Sequence, residues 1–263
     1  MVFHETGEVA VVVMLTQTME AGREKCSQYF PLEIENPTMY LRQDNSNPHI
    51  ESEQQELEGG DVLGHITLLE STWDPECRSE IRQLQLTLGS DSKTVWHFLF
   101  AGWADYSKPV GEDRDALLHL IKLSASKASS PQNPRIVHCS AGVGRTGTFI
   151  ALDHLLQELE SGQLLKVTDE DTDPVFETVN LMREQRMMMV YNEMQLIFIY
   201  EVLREQVDII LEKTYGISRQ RSVARSAKIA KLSEEDYLPA PKPELEAVGD
   251  LSDIRPPEHS DTD

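Results

Sequence analysis

A cysteine and an arginine six positions apart hold most of the chemistry available to this chain, in the run His138-Cys139-Ser140-Ala141-Gly142-Val143-Gly144-Arg145-Thr146-Gly147. Arg135-Ile136-Val137 leads into the run as a short apolar strand, and Thr148-Phe149-Ile150-Ala151-Leu152 leaves it as a helix. A glycine-bearing loop between a strand and a helix turns successive backbone N–H groups into one concavity, at the positive end of the helix dipole. Such a loop cradles an oxyanion, and the planar fork of donors on Arg145 matches two oxygens of a phosphoryl group. Cys139, with His138 beside it and the guanidinium opposite, lies in surroundings that favour the nucleophilic thiolate. A lone cysteine is more often an inert buried side chain. Here the register of His, two glycines, Arg and Thr behind a strand points instead to attack on a phosphate ester.

The elements that must position this loop alternate along the chain. Val9–Leu15, His65–Leu69, Glu80–Leu88, Thr94–Phe100 and Arg135–Val137 have strand composition. Apolar residues recur at helical spacing over Glu112–Ser126 (Leu117, Leu120, Ile121). Phe149, Leu152, Leu155, Leu156 and Leu159 make one face of a helix that stops near Ser161-Gly162. Asp173-Pro174 reads as the cap and first turn of a helix to about Gln185. Asn192 reads as the cap of a last helix, with Ile197, Tyr200, Val207, Ile210 and Leu211 as its apolar stripe. The pattern predicts an α/β (α+β) fold: a central, mixed, highly twisted sheet flanked by helices, with the phosphate-binding loop between a strand and a helix. Residues 1–213 are expected as one domain, with 36–61 as an exposed insert or loop. Residues 214–263 are expected as a disordered charged tail, because large apolar residues thin out there.

Composition sets limits. The chain has 263 residues, enough for one full core. Its formal net charge of −21 argues against nucleic acid as a partner, since phosphate backbones demand the opposite sign. The early apolar run Val9–Leu15 is too short to span a bilayer, and no membrane insertion is expected. Three cysteines, Cys26, Cys77 and Cys139, do not make a disulfide framework and fit a reducing, cytoplasmic compartment. The basic run Arg219–Lys231 reads as a solvated tail or as a docking or nuclear-import segment.

The stretch Val137–Phe149 resembles the signature loop of the tyrosine-specific protein phosphatases: His-Cys, five residues, then Arg and Ser or Thr. The resemblance implies Cys139 as nucleophile, Ser140, Ala141, Gly142, Val143, Gly144 and Arg145 as the phosphate cradle, and Thr146 as a hydrogen-bond donor to the sulfur. Lys25-Cys26-Ser27-Gln28-Tyr29-Phe30-Pro31 is similar to a second landmark of that group. Glu20 falls where the family orients the loop arginine, and Lys25 where a lysine approaches the acid loop. Trp103-Ala104-Asp105 resembles the family's Trp-Pro-Asp loop, which implies Asp105 as the general acid and Trp103 as the loop's anchor. Ala104 departs from the pattern, and loss of proline predicts a looser loop. Arg183 to Gln195 resembles the family's water-handling loop; Gln195 is kept, Tyr191 replaces the other glutamine and Met188 replaces a glycine. Met188 is expected to narrow the mouth of the cleft, and Met187 and Met189 to fill core.

The resemblance covers residues 1 to 213 and implies dephosphorylation of phosphotyrosine-containing proteins, with no metal or cofactor. The family's Lys-Asn-Arg-Tyr segment has no counterpart, so the domain is expected to be N-terminally truncated, with apolar surface left uncovered. That absence, with Ala104, Met188 and Tyr191, supports a second reading: a phosphotyrosine-binding pseudophosphatase with weak turnover. A dual-specificity or lipid phosphatase shares the Cys loop but lacks the Trp103–Asp105 and Lys25–Pro31 landmarks. The residues do not fix an oligomeric state.

Overall fold

The structure, a computed structural model, describes residues 1–42, 62–167 and 172–215. It divides into two compact units, Met1–Ile210 and Leu211–Asp263. The sheet and the site belong to the first; in the second the described residues are the end of the last helix. Most of the predicted 36–61 insert, the basic run 219–231 and nearly all of the predicted tail lie outside the described residues.

Val9–Met14 (β1) is apolar at every position and therefore takes a strand buried on both faces. It pairs in parallel with Asp91–Phe100 (which becomes β7) on one side and Ile136–His138 (β8) on the other. A short hairpin follows β1, Met19–Glu20 (β2) with Arg23–Glu24 (β3). Thr38–Arg42 (β4), Val62–Asp74 (β5), Ser79–Leu88 (β6) and β7 run antiparallel, so the six-stranded sheet is mixed in the order β4-β5-β6-β7-β1-β8. The helices are Val2–Glu5 (α1), Glu112–Ser126 (α2), Gly144–Glu160 (α3), Pro174–Gln185 (α4) and Glu193–Tyr215 (α5).

Period-two alternation along β1 sends its side chains to two cores. Val11, Val13 and Leu15 meet Phe98, Trp103, Phe149, Leu152 and Phe198, while Ala10, Val12 and Met14 meet Phe30, Leu84 and Val95. Leu152 and Leu155 of α3 are essentially fully buried. Full burial stabilises by roughly 1.5–3 kcal/mol for each such side chain. These contacts fix the base of the loop that precedes α3. Asp173 caps α4 by accepting from the N–H groups of Val175 and Phe176, as its sequence position predicts.

Three expectations need correction. Thr38–Arg42, assigned to a loop, pairs as β4; its half-exposed, polar-flanked residues carry little periodic signal. The inward face of α5 is Gln195, Phe198, Ile199 and Val202, whereas Ile197 and Tyr200 are exposed. Four consecutive apolar residues, 197–200, leave the helical phase ambiguous in sequence, and packing against Trp103 and α3 decides it. Met189 is buried as core, but Met187 is 80% exposed.

Candidate active site

Cys139 follows β8 directly and is buried at the floor of a cleft of about 160 Å³. Asp105, Lys25, Arg145, Tyr106, Tyr191 and Gln195 line it together with the loop 140–144. Two glycines of the loop have physical reasons. Gly142 has φ +70°, in the left-handed region that side chains disfavour. At Gly147 a Cβ would stand 2.5 Å from the backbone nitrogen of Val190, so only glycine lets α3 and the water loop approach this closely. The Val190 N–H donates to the Val143 carbonyl at 3.1 Å, tying the two loops together. No side chain caps α3, which leaves its first N–H groups for an anion.

Burial raises the pKa of the Cys139 thiol, but the Thr146 hydroxyl, the Thr146 and Gly142 N–H groups and the Arg145 charge outweigh it and bring the thiol below its ordinary value. The Thr146 hydroxyl is buried and meets no partner at full hydrogen-bonding geometry. Its pull on the thiol is therefore a matter of proximity.

Arg145 is 1% exposed and rigidly held. Its Nη1 donates to Glu20 Oε1 at 2.6 Å and to the Trp103 carbonyl at 3.0 Å, and its Nη2 to Thr16 Oγ1 at 3.3 Å and Asp105 Oδ1 at 3.4 Å. Its Nε is buried without a partner. Thr16 donates in turn to Glu20 Oε1 at 2.8 Å, completing the clamp. Burial opposes the Glu20 charge, but Arg145 and Thr16 hold its carboxyl below the usual range. A guanidinium fixed on one side with an unpaired donor on the other is preorganised for an anion.

Asp105 donates nothing in this state; it accepts from Lys25 Nζ at 2.7 Å and faces Arg145. Burial works against its charge, yet Lys25, Arg145 and the Tyr106 N–H hold its carboxyl below the usual range. Trp103 is 1% exposed, packs edge-on to Phe198 and donates from Nε1 to the Ser107 carbonyl at 2.8 Å. Asp105 thus sits on a loop whose Trp103 end is anchored in the core.

His138 has a different place from the one its neighbour suggests. Its Nδ1 reaches the Cys139 carbonyl at 3.1 Å and its Nε2 the Tyr29 hydroxyl at 2.7 Å. The same hydroxyl meets His97 Nε2 at 2.9 Å. A carbonyl only accepts, so His138 Nδ1 carries the proton, Nε2 accepts from Tyr29, and His97 Nε2 donates to Tyr29. His97 Nδ1 is left bare, and it has no partner. Burial lowers the His138 pKa, and burial with Arg82 and His138 nearby takes His97 to about 3. His138 is neutral here and lends Cys139 no cationic neighbour; it buttresses the loop.

Gln195 is 1% exposed, and its Oε1 accepts from the Tyr191 N–H at 3.1 Å. Tyr191 is half-exposed at the cleft's rim. Met188 is absent from the cleft lining; with φ +69° the backbone turns there and the side chain is exposed, so it does not narrow the mouth. Arg183, the first residue of the matched stretch and one to which the sequence assigns no role, holds this loop by donating to the carbonyls of Met189 and Val190 at 2.9 and 2.8 Å. Thr16 and His97 also join the site from positions that no motif marks, and Tyr29 from within the Lys25–Pro31 landmark, which assigned it no role. Among the described residues no cluster suits a metal ion, and no helix is long and apolar enough to cross a membrane.

Residues 1–205 match the protein-tyrosine phosphatase family. Tyrosine-protein phosphatase 2 of Schizosaccharomyces pombe is 36% identical over 205 residues, 77% of this chain and 25% of that protein. The phosphatidylinositol phosphatase PTPRQ of Rattus norvegicus is 33% identical over 192 residues, 73% of this chain and 7% of that protein. Among solved structures, human PTPN18 in complex with HER2-pY1248 phosphopeptides aligns with a TM-score of 0.57 at 26% identity, over 75% of this chain and 62% of that one. The chain thus spans a quarter or less of the length of these two relatives.

Proposed function

The chain belongs to the protein-tyrosine phosphatase family, and on that premise we propose that it hydrolyses phosphotyrosine in proteins through a phosphocysteine intermediate. What carries the reading is the convergence of Cys139 and Arg145, from one loop, with Asp105, from a segment more than thirty positions upstream, on one narrow cleft. Cys139 thiolate attacks phosphorus, and the S–P bond forms as the P–O bond breaks with its electron pair on the tyrosine oxygen. Arg145 Nε and the loop N–H groups bind the equatorial oxygens. A bound phosphate dianion brings like charge beside Asp105 and draws Arg145 away, both of which raise its proton affinity. The proton it then holds passes to the departing oxygen. In the second step water, placed by Gln195, attacks phosphorus, Asp105 takes its proton, and the S–P pair returns to sulfur with help from Thr146.

The substrates in this reading are phosphotyrosine-containing proteins, as the PTPN18 complexes are with HER2 phosphopeptides. A cytoplasmic setting, with access to the nucleus, suits a nucleophilic thiol. One observation favours the pseudophosphatase alternative: Tyr191 lines the cleft where the family has a glutamine. Initial rates on phosphotyrosine and phosphoserine peptides and on phosphoinositide vesicles separate the possibilities. Turnover of the phosphotyrosine peptide alone is expected. Preference for the vesicles would replace the proposal with a lipid phosphatase, and tight peptide binding without turnover would replace it with the binding module.

A further inference from the structure

The tip of the acid loop is held in a conformation that its own residues do not favour. Tyr106, next to Asp105, has φ +59°, the left-handed region that bulky L residues rarely adopt. Ala104 supplies none of the stiffness of a proline. Within the loop, Ser107 closes a turn onto the Ala104 carbonyl, through its N–H at 3.2 Å and its hydroxyl at 2.7 Å. Those bonds leave the Tyr106 carbonyl and ring to be fixed from outside.

The water loop fixes both. Asn192 Nδ2 donates to the Tyr106 carbonyl at 2.9 Å, and the Tyr191 ring packs against the Tyr106 ring with centroids 5.6 Å apart. The other end of the Asn192 amide caps α5, its Oδ1 accepting from the Gln195 N–H at 2.9 Å. One side chain therefore ties Gln195 to the residue that follows the acid. The Tyr106 N–H also lies close enough to the Asp105 carboxylate to favour its charge, and Asp105 is the residue directly before the fixed Tyr106 peptide, so the orientation of this peptide bears on that of Asp105.

We propose that Asn192, with the Tyr191 ring, is a latch that holds the acid loop on the water loop and so positions Asp105 over Cys139. Neither residue transfers a proton; both act through Tyr106. The latch rests on the reading of Asp105 as general acid. It assigns Tyr191 a purpose of its own: the ring that replaces a glutamine in the water loop supports the loop that has lost its proline.

Asn192→Thr tests the latch, because a threonine hydroxyl still caps α5 but is too short to reach the Tyr106 carbonyl. If Asp105 loses its place, the damage must grow with the basicity of the leaving group. The kcat/KM of Asn192→Thr on phenyl phosphate should fall about fivefold, the factor for one net hydrogen bond, and its fall on para-nitrophenyl phosphate should be distinctly smaller. In an Asp105→Asn background the same substitution should change neither ratio. Equal losses on both substrates, or an undiminished loss in the Asp105→Asn background, would overturn the latch. Asp105→Asn alone is the control: if it lacks the leaving-group dependence, the acid reading fails and the latch falls with it. If it has the dependence and Asn192→Thr does not, only the latch fails. Amide hydrogen exchange across residues 104–107 needs no turnover; it should speed about fivefold in Asn192→Thr. It should speed less in Tyr191→Phe, which keeps the ring, and unchanged exchange in Asn192→Thr overturns the proposal.

Discussion

Thr146→Val isolates the group on which the Cys139 thiolate most depends. The Thr146 residue is 4% exposed and its hydroxyl has no partner at full geometry, so in the neutral-thiol state it is a buried donor left idle. Ionisation of Cys139 gives it an anion to bind. Valine keeps the shape and removes the donor. A hydrogen bond to a charged group is worth about 1.5–3 kcal/mol, so the fraction of thiolate at low pH should fall about 10- to 100-fold. A more basic thiolate is also a better nucleophile, with a Brønsted slope of about 0.4–0.5, which offsets nearly half of that on a logarithmic scale. Alkylation by iodoacetamide should therefore be about 4- to 15-fold slower than wild type well below both titration midpoints and about 3- to 10-fold faster above them. The two pH profiles must cross. Thermal stability at low pH should be unchanged or higher, because an unpaired buried hydroxyl has been removed. Superimposable profiles would show that the hydroxyl does not serve the sulfur.

Other perturbations follow from the same geometry. Arg145→Lys removes the planar fork, and phosphotyrosine-peptide affinity by calorimetry and kcat should both fall, by about tenfold or more. Rapid mixing with excess aryl phosphate should give a burst of about one phenol per site if Tyr191, standing where the family has a glutamine, slows the second step. On para-nitrophenyl phosphate, whose leaving group asks little of Asp105, Tyr191→Gln should speed the steady phase and change the burst little even though the ring is lost from the latch; no burst and no change would mean that Gln195 alone places the water. His97 has a folded-state pKa of about 3 against 6.5 unfolded, so its contribution is complete above pH 6.5 and is lost as pH falls toward 3. The loss is roughly 3–5 kcal/mol as an upper bound. Urea unfolding across that window should show the slope, and His97→Gln should flatten it; an unaltered slope would place the titrating group elsewhere.

The parts of the site that could be read from the sequence are those that are contiguous. Residues 138–147 form one loop and carry their own strand and helix, so local spacing suffices for the cradle. Glu20, Lys25 and Asp105 were reachable through landmark residues around them, and their ion pairs with Arg145 and with one another follow. The remainder depends on groups that meet only in space. The charge state of His138 is set by Tyr29 and His97, 109 and 41 positions away respectively by chain numbering, and no local pattern encodes it. The direction of Met188 is set by a left-handed backbone turn that a methionine does not advertise. The phase of α5 was ambiguous because residues 197–200 are all apolar, and strand β4 because its residues are half-exposed.

The most direct test of the chemistry is to trap the covalent intermediate. The protein is mixed with a phosphotyrosine peptide labelled at phosphorus and quenched in acid within the burst. The label should remain on the protein, map to Cys139, and disappear in Cys139→Ser. Labelled phosphate released at full rate with no label on Cys139, or with the label unaffected by Cys139→Ser, would contradict a mechanism that passes through this thiol.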